Sequence, residues 1–579
     1  MMNVTNNLIS QKLGAIKPLY FTNNSQTTSA PSTSLSGSNL ISQYLNNVAM
    51  INAASINKTE TVNNDIQEKP YKNDLRTLFT TNSAKILAII PRTFNAKDTN
   101  GNEFIDSNEA HGTFLNAIDR LDEVKAEGFN TLHVLPINPP GKDNAMGTAG
   151  SVYAPEDLLK FDPILIDKKD PRSPQEQFKA FVDACHKKGL RVMVDMPSCA
   201  SYDLYKEKPE LMAHERNGLA KTPQGWYDIR MFEPWEDEGK RTLNPELLEY
   251  HRKFVDLMID SGVDGIRADV ARAKPVEFWD IIIPYSRKRN PEFAWLAESY
   301  TYEDASPQAN MPYDRPQDSL RAGFDTIYGQ YHIFHEWPDA TTFMNYVKEQ
   351  LDMSYSLPKG KALIGSFATH DDISPMFHGG ADYCNLTMGL QATLPMVSPY
   401  IVDGYQSGDN YSYQYEEKQN PITQTDNHEM TVHRGRLDIF NLSRKPGGSQ
   451  PEIGDFMRSA FAMRDKYKDI ISKGTFIQLD KTKDKNDQVI AYARHLNGKT
   501  LLVVANKNVN RPVACNIKVP TLKSSQELKN LLPSYGKESI LQVHDGGLSV
   551  ELGPARVHVF EIDTPNIENY TNKIYKQNI

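Results

Sequence analysis

From residue 85 onward, short apolar runs alternate with amphipathic stretches. The runs at 85–92, 131–137, 191–198, 265–272, 293–299, 323–329, 362–372 and 394–402 read as buried strands. Between the first two, 113–128 carries Phe114, Ile118, Leu121 and Val124 at helical spacing and ends at Gly128. The stretches 178–189 and 247–262 behave alike and end at Gly189 and Gly262. A glycine there can close a helix in the left-handed conformation. Eight strand runs, most separated by helical patterns, predict an α/β chain folded as a closed parallel (β/α)8 TIM barrel. A doubly wound open sheet is the competitor. No Gly-x-Gly-x-x-Gly follows the first run, which counts against a dinucleotide fold.

After a helical stretch at 453–471 the period drops to two. Runs at 476–479, 488–495, 500–506, 513–519, 540–543, 548–552 and 555–562 read as antiparallel strands, with Asp545-Gly546-Gly547 as a hairpin turn. This predicts a C-terminal antiparallel β-sandwich. The first 50 residues differ from both regions. Of them, 24 are Asn, Ser, Thr or Gln, and only Lys12 and Lys17 are charged. Such a segment buries too little apolar area to offset chain entropy. The expected organisation is a disordered leader over 1–78, a catalytic barrel over 79–450 with an insertion at about 199–245, a linking helix and sandwich over 451–565, and a tail over 566–579.

Composition narrows the function. The chain has 579 residues, 64 basic against 73 acidic, for a net charge of -9. That balance argues against a nucleic-acid partner, which a basic face would favour. No apolar run approaches the ~18 residues of a membrane span, so no membrane partner is expected. The four cysteines, Cys185, Cys199, Cys384 and Cys515, form no CxxC pair. With no secretory signal pattern at the N-terminus, they predict a reducing, cytoplasmic location.

In a βα barrel, chemistry gathers where the strands end. The third strand run carries Asp195, the fourth Arg267 and Asp269, the fifth Glu298, and the seventh His370, Asp371 and Asp372. Acids embedded in apolar strand sequence, as in Ile266-Arg267-Ala268-Asp269 and Leu296-Ala297-Glu298, need a functional reason. Converging carboxylates serve metal binding, as in a metal-dependent barrel lyase, or glycoside hydrolysis, where one attacks the anomeric carbon and another protonates the leaving oxygen.

These motifs resemble those of the α-amylase superfamily, glycoside hydrolase family 13. Gly265-Ile266-Arg267-Ala268-Asp269 is similar to its GxRxD signature, Ala297-Glu298 to its acid/base strand, and Phe367-Ala368-Thr369-His370-Asp371 to its terminal His-Asp motif. The stretch 128–137 resembles its second strand, and 151–157 followed by Phe161-Asp162-Pro163 the segment with a sugar-stacking tyrosine. The resemblance spans about residues 85–565. It implies a retaining mechanism with catalytic Asp269 as nucleophile, Glu298 as acid/base and Asp371 as transition-state stabiliser. It implies substrate contacts from Tyr153, Asp195, Arg267 and His370. The expected substrate is an α-1,4-glucan or malto-oligosaccharide, acted on by hydrolysis, with maltosyl or glucosyl transfer as the alternative. A third reading is a catalytically silent carbohydrate-binding relative.

One position departs from the family pattern. Asp195 is followed by Met-Pro-Ser-Cys199-Ala200, where the family has Asn and His at the last two places. The nearby 201–210, and Lys274-Pro275 with Phe278-Trp279, resemble the maltose-1-phosphate maltosyltransferase branch. Trp226, Tyr227 and Trp235 in the insertion offer sugar-stacking faces or a small local core. No cofactor is required for this chemistry. Asp98, Asn100, Asn102, Asp106 and Glu109 stand at the oxygen positions of an EF-hand-like loop and form a candidate structural calcium site, although Glu103 replaces the usual glycine.

Overall fold

The computed structural model describes residues 71–579 apart from 101–105, 107, 146–150, 224–227, 301–315, 373, 409–449, 483–485, 565–566, 572 and 579. The leader over 1–70, Asn102, Trp226 and Tyr227 lie outside the described residues.

The barrel strands are β1 (Ile86–Ile89), β2 (Thr131–Val134), β3 (Arg191–Met196), β4 (Gly265–Ala268), β5 (Ala294–Tyr300), β6 (Thr326–Tyr328), β7 (Ala362–Ile364) and β8 (Val397–Ser398 and Tyr400–Val402). Each falls inside one of the eight apolar runs, save that β5 runs one residue past its own to Tyr300. Pro399, which lacks an N–H, divides β8. Its first half pairs with β7 and its second half with β1, all in parallel, so the ring closes.

Side-chain alternation gives the ring two faces. Leu87, Leu132, Val194, Ile266, Trp295, Ile327 and Leu363 point outward into the core shared with the helices. Ile86, Ala88, Met193, Leu296, Tyr328, Ile364 and Tyr400 fill the interior. A short helix, Leu75–Thr80, adds its buried Leu75 and Phe79 to that interior. Asn73 donates to the Asp264 and Glu292 carbonyls, just before β4 and β5, which puts this helix on the barrel floor. Gly265 opens β4 because a Cβ there would lie 2.7 Å from the Ala294 carbonyl oxygen and 3.1 Å from Leu75. The packed chain thus starts upstream of residue 79, where the leader was expected to end.

The outer helices include Pro174–Lys187, Pro245–Asp260, Val276–Arg289, Ala340–Ser354 and Met376–Thr393. Ser173 and Glu176 form a capping box on the first, and Asn244 caps the second. Pro451–Lys466, expected to link two bodies, instead packs with Met376–Thr393 as a helix of the barrel's outer layer. The insertion after β3 holds the helix Tyr202–Glu207 and two small ribbons, Cys199–Ser201 with Ile229–Met231 and Trp235–Asp237 with Thr242–Leu243.

The C-terminal strands are β9 (Thr475–Gln478), β10 (Val489–Leu496), β11 (Lys499–Asn506), β12 (Val513–Lys518), β13 (Ile540–His544), β14 (Gly547–Leu552), β15 (Val557–Asp563) and β16 (Ile574–Tyr575). One sheet runs β15-β11-β10-β9-β16 and the other β12-β14-β13, with an apolar core between them. Asn497 (φ 52°) and Gly498 (φ 82°) join β10 to β11 in the tight turn that suits twisted hairpins. The larger sheet buries both faces. Tyr492, Leu501 and Val559 on its outer face join the barrel's core cluster. The segment past 565, expected to be a tail, supplies β16 as an edge strand on β9. Among the described residues, no helix is long and apolar enough to cross a membrane.

Candidate active site

The inward parity of β3, β4 and β5 decides which side chains meet. Asp195 pairs directly with Arg267 across β3 and β4. Asp269 is two residues beyond Arg267, on the same face. Glu298 follows the parity of Leu296 on β5. Arg267 Nη1 donates to Asp195 Oδ1 at 2.8 Å and to Asp269 Oδ1 at 3.0 Å, and Nη2 contacts Glu298 Oε2 at 2.8 Å. One buried guanidinium therefore touches three carboxylates, a geometry that the planar fork of arginine suits. The carboxylates raise the Arg267 pKa well above its ordinary value despite burial.

The three acids sit in unlike surroundings. For Asp195, burial raises the pKa, but Arg267 and then His133 outweigh it, and the net direction is down. For Asp269, burial and then the adjacent Glu298 push the carboxyl well above the ordinary range, against the pull of Arg267. Asp269 and Glu298 are both held by the one Arg267 guanidinium, on Nη1 and Nη2.

The backbone also serves these acids. Ser198 N–H donates to Asp269 Oδ2 at 3.1 Å, and its hydroxyl donates to the Asp269 carbonyl. Val270 N–H donates to Glu298 Oε2 at 2.8 Å. Val270 has a φ of 33°, a left-handed conformation that a β-branched side chain disfavours. Strain at this point, right after Asp269, turns the peptide toward Glu298.

Tyr153 comes from the loop after β2. Its hydroxyl donates to Asp195 Oδ2 at 2.7 Å and lies 2.8 Å from His370 Nε2. Its ring stacks on that of His370, with centroids 5.8 Å apart. His370 Nε2 is 3.4 Å from Asp371 Oδ2, and the Asp371 side chain is 26% exposed. The structure thus gathers Tyr153, Asp195, Arg267, Asp269, Glu298, His370 and Asp371 at one rim. Asp372 instead turns back on its own loop, accepting from Thr369 N–H and Oγ1.

Sequence reading missed three contributors, all inward on other strands. His133 on β2 lies 3.4 Å from Asp195, and its Nδ1 is 2.8 Å from the Tyr400 hydroxyl on β8. Tyr328 on β6 lies against Arg267 and Tyr400. Their signal was a polar side chain at inward parity within an apolar strand.

Two further positions singled out in the sequence lie among the described residues. Cys199 and Ala200, in the places of the family's Asn and His, are buried, and burial pushes the Cys199 thiol up to about 12. The thiol is therefore neutral and inert at physiological pH. Trp235 carries the Arg241 guanidinium over its ring, 5.2 Å from the centroid, so one face is already covered.

In the candidate calcium loop, Glu109 accepts from Thr99 N–H and Oγ1 with one oxygen and from Asp106 N–H with the other. Asn100 Nδ2 donates to Asp106 Oδ2 at 2.7 Å. The carboxylate that would clasp an ion with both oxygens is engaged by the loop's own donors, a poor fit for calcium. Among the described residues, no group of three His, Cys, Asp or Glu is placed to hold a metal.

No family model matches the chain. A Bifidobacterium animalis protein named α-1,4-glucan:maltose-1-phosphate maltosyltransferase is 25% identical over 436 residues, 70% of this chain and 53% of its own length. One of the same name from Picrophilus torridus is 24% identical over 461 residues, 75% of this chain and 63% of its own length. The chain thus spans less than two thirds of these relatives. Among solved structures, the Thermotoga neapolitana maltogenic α-amylase superposes with a TM-score of 0.59 at 21% identity, over 84% of this chain and 99% of that one. A Lactobacillus plantarum α-amylase gives 0.61 at 20% identity, over 84% and 100%. The resemblance read from the sequence thus holds at the level of likeness: the chain is similar in sequence to proteins named maltose-1-phosphate maltosyltransferase and shares its fold with solved α-amylases.

Proposed function

We propose that the chain is a retaining enzyme that moves a maltosyl or glucosyl unit onto an α-1,4-glucan. The observation that carries this is the Arg267 fork, which holds Asp269 on one nitrogen at 3.0 Å and Glu298 on the other at 2.8 Å. Two carboxyls converging on one guanidinium can supply the nucleophile and the acid/base that retention requires.

In the proposed cycle, Asp269 attacks the anomeric carbon while Glu298 gives its proton to the leaving oxygen. The glycosyl ester on Asp269 is then displaced by an acceptor hydroxyl, whose proton Glu298 takes. Asp371 and His370 hold ring hydroxyls as positive charge develops, and Tyr153 forms the wall beneath the ring. Asp195 keeps Arg267 and Tyr153 in place.

Hydrolysis was the first expectation. The maltosyltransferase names of the curated relatives favour transfer.

Chromatography of products from a donor panel tests the proposal. Malto-oligosaccharides alone, and malto-oligosaccharides with maltose 1-phosphate, would be incubated with the purified chain. Lengthened chains support transfer. Free maltose or glucose as the main product would return the assignment to hydrolysis.

A further inference from the structure

We propose that Lys274 is a positioning residue for Asp269, anchoring Ser198 by its carbonyl so that the Ser198 N–H meets Oδ2 while Arg267 meets Oδ1. The proposal rests on the reading of Asp269 as nucleophile.

Lys274 follows the turn after β4 and is 1% exposed. Its ammonium donates to the Ser198 carbonyl at 3.0 Å. The neighbouring Ser198 N–H and hydroxyl hold the Asp269 carboxylate and carbonyl. A Lys274–Ser198–Asp269 chain thus ties the loop after β3 to the end of β4. A buried ammonium is costly and persists only with compensation. Here the compensation is the Ser198 carbonyl, the Asp269 carboxylate and the rings of Phe232 and Phe278, with centroids 5.2 and 5.8 Å away.

The titratable groups facing Lys274 are Cys199, Asp269 and His251. Burial keeps Cys199 neutral at physiological pH and pushes His251 well below its ordinary value, so it too is neutral. Asp269 is therefore the acidic group that faces the ammonium. Burial lowers Lys274 itself to about 8. As pH rises through that value the ammonium loses its charge, and the support behind Ser198 weakens.

The test follows fluoride release from α-maltosyl fluoride by wild type, Lys274→Met, Lys274→Arg and Asp269→Asn. Wild type should show a fall in kcat centred near pH 8. Lys274→Met should lose on the order of 100-fold in kcat, the scale of a slight misplacement of a reacting group, with KM changed little. Lys274→Arg, always charged, should retain part of the rate and lose the alkaline fall. If Asp269→Asn is inactive while both Lys274 variants keep the wild-type rate and alkaline limb, the positioning role is overturned. An active Asp269→Asn would overturn the nucleophile assignment instead. Should Lys274→Met fail to fold, the wild-type limb and Lys274→Arg still decide.

Discussion

Arg267 and Asp195 face each other across β4 and β3 at 2.8 Å, with side chains 1% and 0% exposed. Removing one member of such a pair strands a buried charge. Arg267→Met should cost about 3–5 kcal/mol at neutral pH, read by urea unfolding. Asp195 has its folded pKa below its unfolded value, so its pairing contributes stability above the ordinary carboxylate range, lost as pH falls through the lower folded value. Without Arg267 that contribution disappears. The variant's deficit should therefore hold from pH 7 down to about pH 4, the ordinary carboxylate range, and shrink only below it. A deficit that does not vary with pH would show that the arginine acts through packing alone.

Glu298 accepts the Val270 N–H and touches Arg267, which fixes its orientation at the pocket edge. Glu298→Gln keeps the shape and removes the proton. Loss of an acid/base group costs about 10²–10⁴-fold. That loss should appear with a malto-oligosaccharide donor. Formation of the glycosyl ester from α-maltosyl fluoride, whose leaving group needs no protonation, should suffer far less. Comparing pre-steady-state fluoride bursts with product formation from the natural donor separates the two. Equal losses on both donors would remove Glu298 from the acid role.

Glu109 ties Thr99 and Asp106 into one loop through their N–H groups. Because its oxygens already have donors, chelator should leave both transfer rate and melting temperature unchanged, and added calcium should not raise the latter. Glu109→Gln, which turns one acceptor into a donor, should lower the melting temperature slightly. A calcium-dependent rise in melting temperature would instead establish the ion site.

The sequence and the structure agree where period alone decides. Ile266 and Ala268 point out and Arg267 points in because β4 alternates, and the same rule puts Asp195 and Glu298 on its side. Closure of the ring was legible from eight apolar runs. Contacts that depend on a turn or a distant strand were not. Nothing local to His133 shows that β8 delivers Tyr400 to it. Nothing local to Lys274 shows that its ammonium reaches Ser198, 76 residues earlier. The leader expected to run to residue 78 likewise hid Leu75, whose burial depends on an open barrel floor.

The same barrel floor yields a test of how the last outer-layer helix is held. Arg464, 3% exposed on Pro451–Lys466, donates to the carbonyls of Gln391, Ala392, Asn82 and Val397 at 3.2, 3.0, 2.7 and 2.6 Å. It thereby joins that helix to the end of Met376–Thr393, to the segment before β1 and to the first half of β8. Burial lowers its pKa to about 10, so the charge survives at physiological pH. Arg464→Met keeps much of the volume and strands four carbonyls. At about 1–3 kcal/mol for an unsatisfied buried group, the loss should exceed about 3 kcal/mol even if water reaches some of them. Arg464→Lys should recover little, since one ammonium cannot span acceptors arranged for a planar fork. The rim lies at the other end of the strands, so kcat measured well below the melting temperature should stay near wild type. Urea unfolding together with rate measurements at low temperature checks both halves. A stable Arg464→Met would show that apolar packing alone closes the barrel between β8 and β1.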